Sequence, residues 1–466
     1  MHRSIRLLAF APVFLLFASW AHAQTAPEGT FPLPETYFPD LRNLIDTAAK
    51  QSPRMMARNT ENAVAEANRI TARSGQLPSA GGYLSYYPWV TETRGVAGST
   101  NGSPNPDAVF HPKKLTYNFT ITQPIFHWGS LRANTQIGAL QEKITQGQTA
   151  EAYRILVDEI RAQYLQVVVN KAGLSRSRFN QQIADEQLTL ARDKLEKNVI
   201  SEADMFTPTI AAEQARLAAD RAADDYENSR IYLSKLTGTP VLSDEQIPTD
   251  IPPITPVSSA LQSVTAQFTG QAEPDSYYLQ TMRDQIETEK LNYKVANTRL
   301  RPKLNLAVGT TQDEFSYSVN IADKYEVRSY FAGVTVSWNV FDGFATRSAK
   351  RIPLARRRQL EENYRNQTSD TIAAVNTQMR QVEYAARHLS IVERMLGSAT
   401  NILTARKEDI NRGIASDADV NAAQLRFFDS QLATYAARND YMMRVARLLS
   451  ATQNDPALIN VPLQRR

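Results

Sequence analysis

The chain has 466 residues, 42% hydrophobic and 21% charged, enough to bury a sizeable core and too apolar for a disordered chain. Lys and Arg number 52 against 48 Asp and Glu, a net of +4, which gives no bulk electrostatic footprint for nucleic acid. The absence of cysteine excludes disulfide scaffolds, Cys-ligated zinc, iron–sulfur clusters, Cys nucleophiles and the lipid-bearing Cys of a lipoprotein.

Residues 1–23 have the layout of a secretory signal. A positive start (Arg3, Arg6) precedes an apolar run from Leu7 to Ser19, too short to span a bilayer, and Ala21-His22-Ala23 offers a cleavage site before Gln24. No later stretch reaches eighteen consecutive apolar residues, which leaves β-barrel strands as the possible membrane element.

An Ala-, Arg-, Glu- and Asn-rich stretch, roughly 53–76, predicts a helix ending near Pro78. A strand pair follows within about 79–126. Leu115, Tyr117, Phe119 and Ile121 alternate with Thr116, Asn118, Thr120 and Thr122, which sets an apolar face against a small polar one. The intervening Gly95 to Pro112, rich in Gly, Ser, Asn, Pro and Asp, reads as a loop in water. Pro- and Gly-poor segments from about 128 to 197 and 203 to 237 predict long helices. At 1.5 Å per residue, ~70 residues span about 105 Å, which coiled-coil packing rather than a globular domain explains. Breaks are expected near Gly173 and Gly397.

After a Pro-rich linker, the pattern returns. A helix is predicted near 276–300, strands about 303–341, and helices about 343–411 and 417–451. In these strands Leu304, Leu306, Val308 and Thr310, then Ala332, Val334, Val336 and Trp338, hold the apolar face. Sliding the chain by 215 residues lays Ile121–Phe126 on Val336–Phe341 and Ser201–Met205 on Ser416–Val420, without an insertion for more than 110 residues. Upstream the offset is 224, matching Arg73–Pro78 to Asn297–Pro302. The expected organisation is a signal peptide at 1–23, a first repeat at 24–240, a linker at 241–275, a second repeat at 276–455 and a tail at 456–466.

Four strands cannot close a barrel, and open edges are an aggregation liability. Several chains sharing one barrel, continued by a wall of coiled coils, resolve both. There is no GxSxG, Walker loop, HExxH or GxGxxG after a strand, so no enzyme chemistry, cofactor or metal is expected. His127, beside Trp128 at a strand-to-helix junction, suits interfacial packing better than ligation.

The ordered set resembles the TolC-like outer-membrane efflux proteins. It comprises the signal peptide, the twofold repeat, and Leu77-Pro78 and Arg301-Pro302 ahead of the strands. It continues with the junctions Gln123-Pro-Ile-Phe-His-Trp-Gly129 (Pro124, Phe126, Gly129) and Trp338-Asn-Val-Phe-Asp-Gly343 (Phe341, Gly343), and closes on Arg412-Gly-Ile-Ala-Ser-Asp-Ala-Asp-Val420. The resemblance implies a mixed α/β membrane protein: a homotrimer whose twelve-stranded outer-membrane barrel, four strands per chain, continues as an α-helical tunnel across the periplasm. It also implies an equatorial belt from the linker and terminal helices. Its implied partners are outer-membrane lipid, a periplasmic adaptor and an inner-membrane pump of RND or ABC type, for efflux or type I secretion. The competing reading is an exported coiled-coil structural or adhesin-like protein without a pore.

Ser201-Glu-Ala-Asp204 and Ser416-Asp-Ala-Asp419 read as helix starts, with Glu202 and Asp417 beside the dipole. By resemblance Asp419, and Asp204 in the other copy, belong to the tunnel mouth, where carboxylates from three chains would attract cations. Ala422 and Ala415 stand where some members carry an aspartate and an arginine, and Arg412 is the nearest basic residue. Ser201, Gly413 and Ser416, in the turns farthest from the membrane, are the expected adaptor-docking positions. Tyr117, Phe119, Ile121, Val334, Val336 and Trp338 are expected to face lipid, with Thr116, Asn118, Thr120, Thr335 and Ser337 toward the lumen.

Overall fold

A computed structural model describes residues 31–89, 92–94, 108–110, 114–271, 273–274, 276–315 and 325–459. The expected leader (1–23), much of both strand-connecting loops and most of the tail lie outside these residues.

Helices α1 (Pro34–Tyr37), α2 (Pro39–Gln51) and α3 (Pro53–Ser74) each open on a proline, whose missing N–H is an orphan donor there anyway. Ser52 caps α3, its hydroxyl accepting the Met55 amide at 3.2 Å. Then come β1 (Ser79–Tyr87), a ribbon of β2 (Glu92–Arg94) and β3 (Ala108–Phe110), and β4 (Lys114–Phe126). The long α4 (Ser130–Glu196) turns back into α5 (Phe206–Thr237). Beyond α6 (Ser259–Thr269) the same order recurs as α7 (Tyr277–Asn297), β5 (Lys303–Phe315), β6 (Tyr325–Ser337), α8 (Ala345–Asn411) and α9 (Asp417–Ala451).

Three expectations need correction. Helices α4 and α8, each 67 residues long, run through Gly173 and Gly397 unbroken. A helical glycine costs only about 1 kcal/mol, which a helix packed along its length absorbs. The linker is not irregular throughout. It holds α6, whose Leu261, Thr265 and Phe268 are buried at i, i+4 and i+7. The first loop, finally, contains the β2–β3 ribbon.

The sheet is antiparallel in the order β1-β4-β5-β6, so β1 and β6 leave two edges unpaired within the chain. The register sets Gly82 opposite Phe119, Phe119 opposite Thr310, and Thr310 opposite Tyr330; likewise Ile121 meets Val308, and Val308 meets Ala332. Directly opposed residues share a face. All the alternating apolar positions read from the sequence within these strands therefore fall on one side. The other side carries Thr116, Asn118, Thr120 and Thr335, but also Tyr83, Tyr87 and Phe331. Phe331 lies over Gly309, where a Cβ would come within 2.8 Å of its ring.

Toward the sheet the helices pack side by side as α3, α4, α7, α8; toward the far turns the order is α5, α4, α9, α8. The main core sits where these halves meet. It joins α2 (Leu41, Ile45) and mid-α4 (Leu156, Ile160) to α8 (Val382, Leu389), α9 (Met442, Leu449) and the linker (Ile251, Leu261). Within it Arg161 of α4, fully buried, binds Asp455 from beyond α9 at 2.5 and 2.9 Å and also holds Glu35 of α1.

The eight described residues with positive φ form four pairs 215 residues apart: Trp128 with Gly343, Gly129 with Phe344, Asn198 with Gly413, and Gly238 with Gln453. The first two pairs turn each inner strand into a long helix. The others close helices α4 and α8, then α5 and α9. The backbone thus repeats at the spacing found in the sequence, even where a glycine in one half faces Trp, Phe, Asn or Gln in the other.

Candidate functional site: the far turns and the strand-to-helix collar

The two turns are built alike. Gly413 donates to Ile410 O at 2.8 Å and Ile414 to Asp409 O at 2.9 Å; Asn198 donates to Leu195 O at 2.9 Å and Val199 to Lys194 O at 2.8 Å. This left-handed closure satisfies the last carbonyls of α8 and α4. Gly413 serves it without strain, and Asn198 fills the same conformation, as asparagine does more readily than most residues.

The chain then restarts. The Asp419 carboxylate accepts the Ser416 amide at 2.9 Å and its hydroxyl at 2.6 Å, while the Asp419 amide donates back at 3.3 Å. At Asp204 and Ser201 the corresponding distances are 2.9, 2.7 and 3.3 Å. One difference separates them: α9 begins at Asp417, whereas a 3₁₀ turn, Ala203–Met205, intervenes before α5. These are reciprocal capping boxes with aspartate in the place of glutamate.

Ser201 and Ser416 are therefore engaged in capping, and Arg412 reaches Glu408 at 3.8 Å. Glu202 and Asp417 stand exposed beside the caps. Among the described residues, no hydrogen bond or ion pair joins one turn to the other within the chain. Hydrogen bonds from the Ser201 and Ser416 hydroxyls and amides hold both aspartates below the usual carboxylate range. Their charge is accordingly kept as pH falls through the ordinary value near ~3.9 and is lost only below it. Sequence reasoning missed the apolar tips of these turns: Val199 is 67% and Ile414 72% exposed, where a residue after such a closure normally packs back on its helix.

At the other end, side chains tie the four segments between sheet and helices into a collar. Gln123 donates to Gln76 O at 3.0 Å, and Gln76 donates to Leu131 O at 3.1 Å. The Trp128 indole donates to Pro302 O at 2.7 Å beneath the Arg301 guanidinium, 4.9 Å from the ring centre. His127 meets Asn305 at 2.8 Å, a structural contact as expected. Trp338 lies one residue past β6, and its indole holds Leu300 O at 2.9 Å, so it belongs to the collar rather than to a strand. Phe126 stacks edge-on to Trp128, and Phe341 to Phe344. Pro124 marks a shift in the β4–β5 register.

A sheet with two open edges feeding two 67-residue helices defines a protomer of a membrane conduit, not a globular catalytic domain. The profile of the outer membrane efflux proteins matches residues 44–239 and 270–453. The chain belongs to that family, one of passive channels rather than enzymes. Its fold is that of solved channels. CmeC of Campylobacter jejuni aligns over 97% of this chain and 94% of its own, with TM-score 0.69 and 14% identity. VceC of Vibrio cholerae aligns over 90% and 98%, with TM-score 0.63 and 15% identity. The open-state MtrE of Neisseria gonorrhoeae aligns over 95% of both chains, with TM-score 0.63 and 14% identity. No curated protein sequence matches this chain. The protein is an outer-membrane efflux channel extending into the periplasm, and the poreless coiled-coil alternative finds no support.

Among the described residues no cluster of His, Cys, Asp or Glu could hold a metal, and no helix is long and apolar enough to cross a membrane.

Proposed function

We propose that three copies share one twelve-stranded barrel, and that the chain arose by internal duplication with repeats at 24–240 and 276–455. In this reading the tunnel is the passive exit duct of a tripartite efflux or type I secretion system. It meets a periplasmic adaptor and an RND- or ABC-type pump at its far turns. The observation that carries this is the open sheet: four strands leave the β1 and β6 edges unpaired, and a hydrocarbon layer tolerates only a closed barrel. Detergent-extracted outer membranes run unboiled on SDS gels should show a species three times the chain mass that collapses on boiling. Release of the protein with the soluble periplasm would count against it.

The far turns form the tunnel mouth, where Asp204 and Asp419 from three chains would make rings of negative charge. Asp419→Asn keeps a cap acceptor and removes the charge. Bilayer currents of this variant should lose cation selectivity and divalent-ion block with assembly unchanged. In the wild type, selectivity should survive acidification to the ordinary carboxylate pKa and disappear only below it. Unchanged selectivity in the variant would leave the aspartates as caps alone.

Docking of an adaptor's helical hairpin would bury the exposed Val199 and Ile414 tips beside Ser201, Gly413 and Ser416. The double substitution Val199→Asp and Ile414→Asp should abolish efflux while barrel, assembly and bilayer conductance persist. Gly413→Asn should be tolerated, because Asn198 already adopts that conformation, whereas Gly413→Val strains the turn by about 1–2 kcal/mol. Full efflux by the double variant would move docking away from the tips.

A further inference from the structure

The four segments of the collar have a composition unlike the rest of the chain. Residues 67–79, 126–138, 290–303 and 338–351 hold eleven Lys or Arg against one carboxylate, in a chain whose charges otherwise nearly balance. That carboxylate, Asp342, is spent on capping α8, accepting the Thr346 amide at 2.9 Å and its hydroxyl at 2.5 Å. Arg69 is paired with Glu142 and Lys290 with Glu287. Arg73, Arg132, Arg299, Arg347 and Arg351 are exposed and have no carboxylate partner among the described residues.

Helix electrostatics explains only part of this. Arg73 ends α3, where a cation complements the helix dipole. Arg132 and Arg347 do the reverse: each is the third residue of its long helix, among unsatisfied amides, and neither first turn has an acidic residue. A cation there is disfavoured unless an anion joins it. The same collar exposes Trp128, Trp338, Phe341 and Phe344, aromatic side chains of the kind that settle at a membrane–water boundary.

The geometry points to an anionic-phospholipid site: Arg73, Arg132, Arg299, Arg347 and Arg351 form a collar that binds headgroup phosphates of the periplasmic leaflet and sets the depth of the barrel. The assignment rests on the outer-membrane placement of the sheet. Charge complementarity selects the occupant, since the cations are unpaired, adjoin exposed aromatics and lie where the sheet gives way to the periplasmic helices.

The test uses the full exported protein in detergent, titrated with phosphatidylglycerol or phosphatidylcholine, with bound lipid counted by native mass spectrometry. The wild type should retain phosphatidylglycerol preferentially, and high salt should erase the preference. In Arg132→Gln/Arg347→Gln/Arg351→Gln the preference should fall roughly fivefold per arginine removed, and the matching lysine variant should restore most of it. Equal retention of both lipids by the wild type, or an undiminished preference in the glutamine variant, overturns the proposal. So does a change of ion selectivity in that variant without a change in lipid preference, which would turn the cations toward the lumen. Should the glutamine variant fail to assemble, the salt dependence of the wild type and the behaviour of the lysine variant decide the matter. Failure of the wild type to conduct in bilayers counts against the conduit instead, and is read separately.

Discussion

Phe119→Arg and Val334→Arg should prevent insertion into the outer membrane, whereas Thr335→Arg should insert normally and alter conductance. Phe119 lies on the inner strand β4, opposite Gly82 and Thr310, with its ring against the bare Gly82 backbone. Val334 shares its face through Leu306. A cation there costs about 2–4 kcal/mol near mid-bilayer and almost nothing on the lumenal side. The proposed trimer would triple each penalty. Thr335, exposed opposite Asn305, gives the cleaner lumenal control. Thr120→Arg should behave likewise, although Thr120 sits close to Gly309 under the Phe331 ring. Membrane fractionation and bilayer recording read the result. Equal tolerance of arginine on both faces would remove the barrel assignment.

The second large effect concerns the equator. Arg161→Met should destabilise the protein by about 3–5 kcal/mol, because it leaves the buried Asp455 carboxylate without its cation. Glu35 loses the same partner, so both chain ends come loose from α4, and limited proteolysis should cut first there. The loss should depend on pH. Burial already raises Asp158, 3.9 Å from Arg161, to about 6. A carboxyl with a raised folded pKa costs stability at neutral pH and returns it as pH falls through that value. Without Arg161 the carboxyls protonate more readily, so the deficit in thermal unfolding should be smaller at pH 5.5 than at pH 8. An equal deficit at both would deny the cluster its electrostatic role.

The parts of this molecule that were legible in the sequence are those with a long period. The 67-residue helices announce themselves by composition, and the strands by alternation that the register preserves across all four. The 215-residue spacing was visible in side chains and reappears in backbone angles, where Trp128 and Gly343, or Asn198 and Gly413, share a conformation without sharing a residue type. What stayed hidden is what tertiary contact decides. Helix α6 lay between prolines and glycine, and only burial of Leu261 and Phe268 reveals its face. Arg161, Glu35 and Asp455 are scattered along the chain with no spacing to connect them. The two capping boxes could be read from Ser-x-x-Asp, but the exposure of Val199 and Ile414 beside them could not. An apolar residue in that place normally packs back on its own helix.

The most direct measurement of the account as a whole is planar-bilayer recording of the protein purified from outer membranes. The account predicts long-lived stepwise conductance that is cation-selective and that depends on Asp204 and Asp419. Membrane-extracted, folded protein that adds no conductance at any voltage would contradict it.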